Sequence, residues 1–172
     1  MITEYFAKYC SYYLSRYSVS KKKFEHILKK KITKDFLQKK IGKEKYEFYL
    51  REVDNVIEHY KKAGLFNETR LIDLKVENMV DRGYSTKKIY YVLTKDFFPK
   101  ELIESKISEL KNLEEQLIQN YLKKMGILRK LESHLEFKKE NFDKILKKLI
   151  QQGFSIQTSL NFLKKYGFNK EF

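Results

Sequence analysis

Apolar residues recur along almost the whole chain at intervals of three and four positions, which is the spacing of one face of an α-helix. Apolar and polar residues do not alternate over any long stretch, and the Asn-Gly and Asp-Gly pairs typical of tight hairpins are missing. The pattern predicts about nine helices joined by short links, and no β-sheet. It runs on for a long stretch after residue 114, where Gly126 is expected to bend or split the helix.

A few residues with strong positional preferences mark the ends of the predicted helices. Gly64, Gly83 and Gly153 each follow an apolar helical pattern and are predicted to end it. Asn67 is predicted to cap the N-terminus of the next helix. Pro99 fits the first turn of a later helix, where its missing N–H is not needed. No segment rich in Pro, Gly or Ser separates the helices, so no flexible linker is expected.

Three segments of the chain resemble one another, and each begins with a serine that fits a helix N-cap: Ser20, Ser85 and Ser155. Eight residues after each serine stands a leucine, and two residues after the leucine stands a lysine. These pairs are, in order, Leu28 and Lys30, Leu93 and Lys95, and Leu163 and Lys165. Gly83-Tyr84 and Gly153-Phe154 precede the second and third serines. The similarity predicts a tandem helical repeat whose leucines pack inward and whose lysines face solvent.

The predicted fold class is therefore all-α. A short amphipathic helix is not stable alone, so each repeat is expected to pack with its neighbours as a three-helix bundle. We divide the chain into units at residues 1–63, 64–113 and 114–172, which together form one continuous repeat domain. A row of such bundles is expected to be elongated and curved, and so to offer a long surface to a large or repetitive partner.

The chain is strongly basic, with 37 Lys and Arg against 23 Asp and Glu and a formal net charge of +14. Residues 1–62 carry +8 (16 basic minus 8 acidic), residues 63–113 carry +1 (9 minus 8) and residues 114–172 carry +5 (12 minus 7). Such a field favours polyanions and acidic protein surfaces, although lysine is also the ordinary residue of solvated helix faces. We expect the basic ends to steer a partner and the nearly neutral middle to make more specific contacts.

The sequence lacks the residue patterns of common catalytic and metal sites. IGKEK at residues 41–45 does not have the glycine frame of a phosphate-binding loop, and no nucleophile elbow is present. His26, His59 and His134 lack metal-site spacing, and Cys10, the single cysteine, excludes an intramolecular disulfide. We expect no enzymatic activity, no cofactor and no metal. With no apolar run typical of a membrane span or a secretory signal, a cytoplasmic protein is expected.

The chain contains 13 Tyr and 13 Phe, so base stacking on exposed rings has to be weighed against core packing. Most of these rings occupy the apolar positions of the helical pattern, where packing in a core is expected. Tyr84, Tyr90 and Tyr91 are the exceptions, because they are too close together for all three to be buried easily.

Three stretches of the chain, taken in order, carry a family resemblance. YYLSRYSVSKKKFEHILKKKI, residues 12–32, resembles the first unit of the RecX family of regulators of the RecA recombinase. GLFNETRLIDLKVENMVDRGYSTKKIYYVL, residues 64–93, resembles its most characteristic central stretch, in which Arg-Gly-x-Ser precedes a basic amphipathic helix. KILKKLIQQGFSIQTSLNFL, residues 144–163, resembles its terminal unit with a Gly-Phe-Ser step. The resemblance covers most of the chain.

Several positions depart from the family pattern. Glu68 stands where an aspartate is usual, and Ile72 and Val76 replace small residues in the same helix. Gln151-Gln152 stands where basic residues are frequent. These changes are expected to alter partner affinity more than the fold.

The resemblance implies tandem three-helix units in a curved, right-handed-type helical array without enzymatic activity. It implies a monomer that binds the groove of the RecA–single-stranded DNA filament, touching DNA directly or through RecA. From there the protein would inhibit ATP hydrolysis, strand exchange and cleavage of the SOS repressor. The residues we expect to contact the filament or a polyanion are Lys21, Lys22, Lys23, Lys30, Lys31, Arg82, Tyr84, Lys87, Lys88, Lys147, Lys148, Lys164 and Lys165.

Two other functions fit parts of the sequence. Residues 67–95 have the helix-glycine-helix order of a helix-turn-helix DNA-binding protein that acts independently of RecA. The second helix of that pair offers tyrosines and lysines but no Asn, Gln or Arg in its first turns to recognise base edges. A scaffold whose charge serves solubility alone is the third possibility.

Overall fold

The computed structural model of the chain describes residues 2–133 and 135–166, with side chains for all of these except residues 131–140. Within that part every regular element is helical, which confirms the all-α prediction. In chain order the elements are α1 (Glu4–Leu14), α2 (Lys21–Leu37), α3 (Lys43–Lys62), α4 (Glu68–Asp81), α5 (Thr86–Lys95), α6 (Lys100–Leu110), a 3-10 turn (Lys111–Leu113), α7 (Glu114–Lys124), α8 (Ile127–Ser133), α9 (Leu135–Gln151) and α10 (Ile156–Lys165). His134 lies outside the described residues.

The residues predicted to begin helices do so through their side chains. The hydroxyl oxygens of Ser20, Ser85 and Ser155 accept a hydrogen bond from the backbone N–H three residues on, at 3.1, 3.2 and 3.0 Å. The side-chain oxygen of Asn67 likewise accepts from the N–H of Arg70 at 3.0 Å. Pro99 immediately precedes α6 instead of lying inside its first turn.

The predicted helix ends are also confirmed. Gly64, Gly83 and Gly153 follow closely on α3, α4 and α9. Gly126 has a φ of +67° and separates α7 from α8, so the long apolar stretch is split at the expected residue.

Gly83 is required by close packing as well as by its positive φ of +65°. A Cβ atom at this position would overlap the backbone nitrogen and Cα of Tyr121 on α7. The side-chain amide of Asn120 donates to the carbonyl of Val80 at 2.9 Å and joins the same two helices. The end of α4 therefore lies directly against the backbone of α7.

The helices fall into two compact units. One contains the chain up to Ile72 together with Asp96–Phe98, and the other contains Asp73–Lys95 together with the chain from Pro99 onward. The three units at residues 1–63, 64–113 and 114–172 are defined by the similarity of the repeats in the sequence. A grouping of the helices by packing does not test this division, which stays a prediction. None of the helices in the described part of the chain is long and apolar enough to cross a bilayer.

The core of the first unit is formed by α1, α2 and α3. Its buried side chains are Phe6, Cys10, Phe24, Leu28, Ile32, Val53, Val56 and Ile57. The ring of Tyr5 stacks on that of Tyr49, with the ring centroids 4.1 Å apart, and so joins α1 to α3. Burial raises the pKa of the Cys10 thiol to about 11, so at neutral pH the thiol is protonated.

A buried carboxylate, Asp35, lies on α2 beside this core. It accepts hydrogen bonds from Lys31 at 2.7 Å and from the hydroxyl of Tyr5 at 2.9 Å. Burial raises the pKa of Asp35, but these two hydrogen bonds and the positive charges of Lys31 and Lys40 together hold the pKa below its ordinary value of 3.8. The pKa of Tyr5 is raised, first by burial and then by its bond to Asp35.

The main core of the second unit is formed by α7, α8, α9 and α10. Its buried side chains are Leu117, Ile118, Leu122, Leu128, Phe142, Ile145, Leu149, Phe154, Phe162 and Leu163. In the same unit α5 packs against α6 and buries Ile89 and Leu93.

Candidate functional site

The three serine-led helices α2, α5 and α10 bury equivalent positions. Four residues after the capping serine, Phe24, Ile89 and Ser159 are all fully buried. Eight residues after it, Leu28, Leu93 and Leu163 are buried as predicted, and the lysines two positions later are exposed. Each of the three helices therefore buries the same positions, counted from its serine. Ser159 is the exception in chemistry, since its buried hydroxyl has no hydrogen-bond partner among the described residues.

The first two capping serines are buried because each makes a second, long-range hydrogen bond. The hydroxyl of Ser20 donates to the carbonyl of Asp96 at 2.6 Å. The hydroxyl of Ser85 donates to the carbonyl of Gln152 at the same distance of 2.6 Å. Ser155, by contrast, is exposed and donates to its neighbour Thr158 at 2.7 Å.

The two acceptor carbonyls occupy equivalent turns. In each, the acceptor residue is followed by a residue with positive φ, a buried phenylalanine and the residue that precedes the next helix. These turns are Asp96-Phe97-Phe98-Pro99, with φ +59° at Phe97, and Gln152-Gly153-Phe154-Ser155, with φ +94° at Gly153. Their similarity is absent from the sequence comparison because a phenylalanine replaces the glycine in one of them.

Lysines next to the capping serines bind the same turns. Lys23 lies 3.3 Å from the carboxylate of Asp96. Lys88 donates to the side-chain oxygen of Gln152 at 2.8 Å, and its ammonium lies 4.3 Å from the ring centroid of Tyr84. Lys23, Lys88 and Tyr84, which the sequence predicts as partner contacts, thus have internal partners that hold these turns.

Three further predicted contacts are also engaged within the chain. Lys21 pairs with Glu58 at 2.7 Å and Lys31 with Asp35 at 2.7 Å. Lys165 pairs with Glu115 at 2.6 Å. The remaining predicted cations are exposed and have no carboxylate within 4 Å among the residues that the structure describes. They are Lys22 and Lys30 on α2, Arg82 and Lys87 around the start of α5, Lys147 and Lys148 on α9, and Lys164 on α10.

The most distinctive exposed surface lies on α5. Its solvent-facing residues follow one another at intervals of three, one, three and one, which places them on a single helical face. We call this surface the α5 face, and its residues are Lys87, Tyr90, Tyr91, Thr94 and Lys95. Tyr90 is 41% exposed and Tyr91 is 63% exposed, and the ammonium of Lys95 lies 5.8 Å from the ring centroid of Tyr91. Two neighbouring tyrosines are therefore presented to solvent between two lysines.

The corresponding faces of α2 and α10 have a different chemistry. On α2 the equivalent exposed residues are Lys22, His26, Lys29 and Lys30, and on α10 they are Gln157, Asn161, Lys164 and Lys165. At the position of Tyr91 these faces carry His26 and Asn161, so neither presents a tyrosine there. In the sequence, Tyr90 and Tyr91 stand out because they are too close together to be buried easily. The intervals of three and one residues between Lys87 and Lys95 are the sequence signal that identifies the whole α5 face.

The arrangement on α5 is suited to binding. Tyrosines supply flat apolar area and a hydroxyl, and lysines supply charge that attracts anionic groups. Among the residues that the structure describes, no three His, Cys, Asp or Glu side chains are grouped as metal ligands. Comparison of the chain with models of protein families, with curated protein sequences and with solved structures gives no match.

Proposed function

We propose that the chain is a RecX-like regulator that binds the RecA–single-stranded DNA filament and inhibits its ATP hydrolysis, recombinase and SOS coprotease activities. In this proposal the three helical units follow one another in an elongated, curved, right-handed array that lies along the filament groove. The protein acts as a monomer in the cytoplasm and performs no chemistry itself. Inhibition follows if the bound protein has a higher affinity for one state of the filament than for the other.

The α5 face is the observation that carries the proposal. Three of its five residues, Lys87, Tyr90 and Tyr91, lie in residues 64–93, which resemble the most characteristic stretch of the RecX family. Tyrosines are enriched at the centres of protein interfaces, because they bury large area at low entropic cost. This position agrees with the expectation that the nearly neutral middle of the chain makes the more specific contacts.

The exposed cations support the electrostatic part of the proposal. Lys22 and Lys30 lie in one compact unit, and Arg82, Lys87, Lys147, Lys148 and Lys164 lie in the other, all without a carboxylate partner among the described residues. Such charges raise the association rate with a polyanion and make binding dependent on salt. Lys21, Lys23, Lys31, Lys88 and Lys165 have internal partners, so we assign them a smaller share of the contact energy.

The proposal is tested by ATP hydrolysis of the cognate recombinase on single-stranded DNA, measured with substoichiometric amounts of this chain. We expect inhibition, and we expect Tyr90→Ala with Tyr91→Ala to raise the half-inhibitory concentration by about tenfold or more. Tyr12→Ala with Tyr17→Ala is the matched control, because these tyrosines are 55% and 52% exposed but lie outside the α5 face. Absence of inhibition by the unaltered chain would refute the proposal. If the two double substitutions raise the half-inhibitory concentration equally, the α5 face is not the surface that binds the filament.

The helix-turn-helix alternative receives less support from the same helix. The exposed side chains in the first two turns of α5 are Lys87, Tyr90 and Tyr91, and none of them is an Asn, Gln or Arg that could read a base edge through two hydrogen bonds. Tight, sequence-dependent binding to duplex DNA without any effect on the recombinase would nevertheless favour that function.

A further inference from the structure

A groove in the second unit combines an apolar floor with a basic rim. It lies beside the turn between α7 and α8 and along one side of α9, and its volume is about 460 Å³. Ligand sites in proteins are commonly of this size. None of the contacts described for the α5 face involves it, so the groove is a separate surface.

The floor of the groove is aliphatic. Ile145 is buried and Ile127 is half-buried, while Met125 lines the groove with 49% of its surface exposed. An exposed methionine is a flexible apolar contact that adapts to different side chains. The floor can therefore take up an aliphatic group that leaves water.

The rim of the groove carries cations on one side of α9. Lys144, Lys147 and Lys148 line the groove at the three-then-one spacing of a single helical face, and all three are exposed. Among the described residues none of the three has a carboxylate within 4 Å, and a row of exposed ammonium groups attracts anionic groups.

We propose that this groove is a docking site for an acidic peptide segment whose aliphatic side chain enters the floor. Carboxylates on either side of that side chain pair with the three lysines, and the anchor contacts Met125, Ile127 and Ile145. No aromatic ring lines the groove among the described residues, so it offers no platform for stacked bases, which favours a peptide over single-stranded nucleic acid. The site goes beyond the proposed function and does not depend on it.

The test uses the full chain and two fluorescein-labelled peptides, one of glutamates around a central leucine and one with serine in place of that leucine. By fluorescence anisotropy at physiological salt, we expect the leucine peptide to bind about tenfold more tightly, because burying a leucine removes its apolar area from water. Met125→Ser is expected to abolish that preference while leaving the affinity for the serine peptide unchanged.

Charge is tested separately. Lys144→Glu, Lys147→Glu and Lys148→Glu together are expected to weaken both peptides by about tenfold or more. The control combines Lys39→Glu, Lys40→Glu and Lys45→Glu, which are exposed lysines of the other unit, and it is expected to change both affinities by less than about twofold. Equal binding of the two peptides, or an equal loss in the control, would overturn the proposal. So would a single-stranded oligonucleotide of matched charge that displaces the leucine peptide and depends on the same three lysines.

Discussion

The hydroxyl of Ser85 donates a hydrogen bond to the carbonyl of Gln152, 67 residues further along the chain, while it caps its own helix by accepting from Lys88. Ser20 does the same with Asp96 and Lys23. Each of these serine side chains therefore caps the first turn of its helix and also joins that turn to a distant backbone carbonyl.

We expect Ser85→Ala to lower the free energy of unfolding by about 2 kcal/mol or more. The change removes a helix cap and leaves the half-buried carbonyl of Gln152 without its serine donor. Ser155→Ala is the matched control, because its exposed hydroxyl caps α10 without a long-range bond, and about 1 kcal/mol is expected there. Urea unfolding of both variants checks this, and equal losses would show that the bond to Gln152 contributes nothing.

Two glycines with almost the same backbone conformation are expected to respond very differently to a methyl group. Gly126 has a φ of +67° and open space around it, so Gly126→Ala should cost about 1 kcal/mol of left-handed strain. Gly83 has a φ of +65°, but an added Cβ would overlap the backbone of Tyr121, so Gly83→Ala should cost several times more, about 3 kcal/mol or above. Thermal and urea unfolding of the two variants measure the difference. Similar costs would mean that α4 and α7 lie further apart than the structure has them.

Ser159→Ala is expected to stabilise the protein by about 1 kcal/mol. The hydroxyl of Ser159 is fully buried without a partner among the described residues, and alanine removes it at no loss of hydrogen bonding. The midpoint of urea unfolding should rise, while Ser108→Ala at an exposed helical site should change it much less. A lower midpoint in Ser159→Ala would indicate that the hydroxyl has a bonding role.

The buried Asp35 is expected to make stability depend on acid pH. Because its pKa is lower in the folded chain than its ordinary value of 3.8, its contribution is complete above that value and is lost as pH falls through the folded pKa. Asp35→Asn removes this titration, so the stability difference between the parent chain and the variant should shrink steadily below about pH 4. Urea unfolding across acid pH measures it. A difference independent of pH would mean that Lys31 and Tyr5 do not hold the carboxylate in its charged form.

The helices and their ends follow from local sequence, whereas the contacts of the serines do not. Glycine, asparagine and serine have strong preferences at helix ends, so Gly64, Asn67 and Ser85 mark them without knowledge of the fold. Every backbone carbonyl has the same chemistry, so nothing in the sequence distinguishes that of Gln152 as the partner of Ser85. The positive φ of Phe97 has no sequence signal either, because phenylalanine rarely adopts this conformation.

The candidate binding residues divide in the same way. The α5 face lies on one helix, so its interval pattern can be read directly from residues 87–95. The presence of a lysine in the sequence does not show whether its ammonium group will pair with a carboxylate of the same chain. Lys21 and Lys31 form such pairs and, within the described part of the chain, Lys22 and Lys30 do not, because the fold brings carboxylates near the first two only. Lys144 and Met125 were missed because they share a groove only after α7, α8 and α9 have packed.

Synthesis on the ribosome is vectorial, so the partners of the capping serines arrive late. When Ser85 has left the exit tunnel, the turn that contains Gln152 has yet to be translated. Until then the start of α5 has its own cap but lacks the bond to Gln152, although α5 can already pack on α6. The long-range bond at the start of α5, the helix with the two solvent-facing tyrosines, can therefore form only after residues 86–152 have been translated.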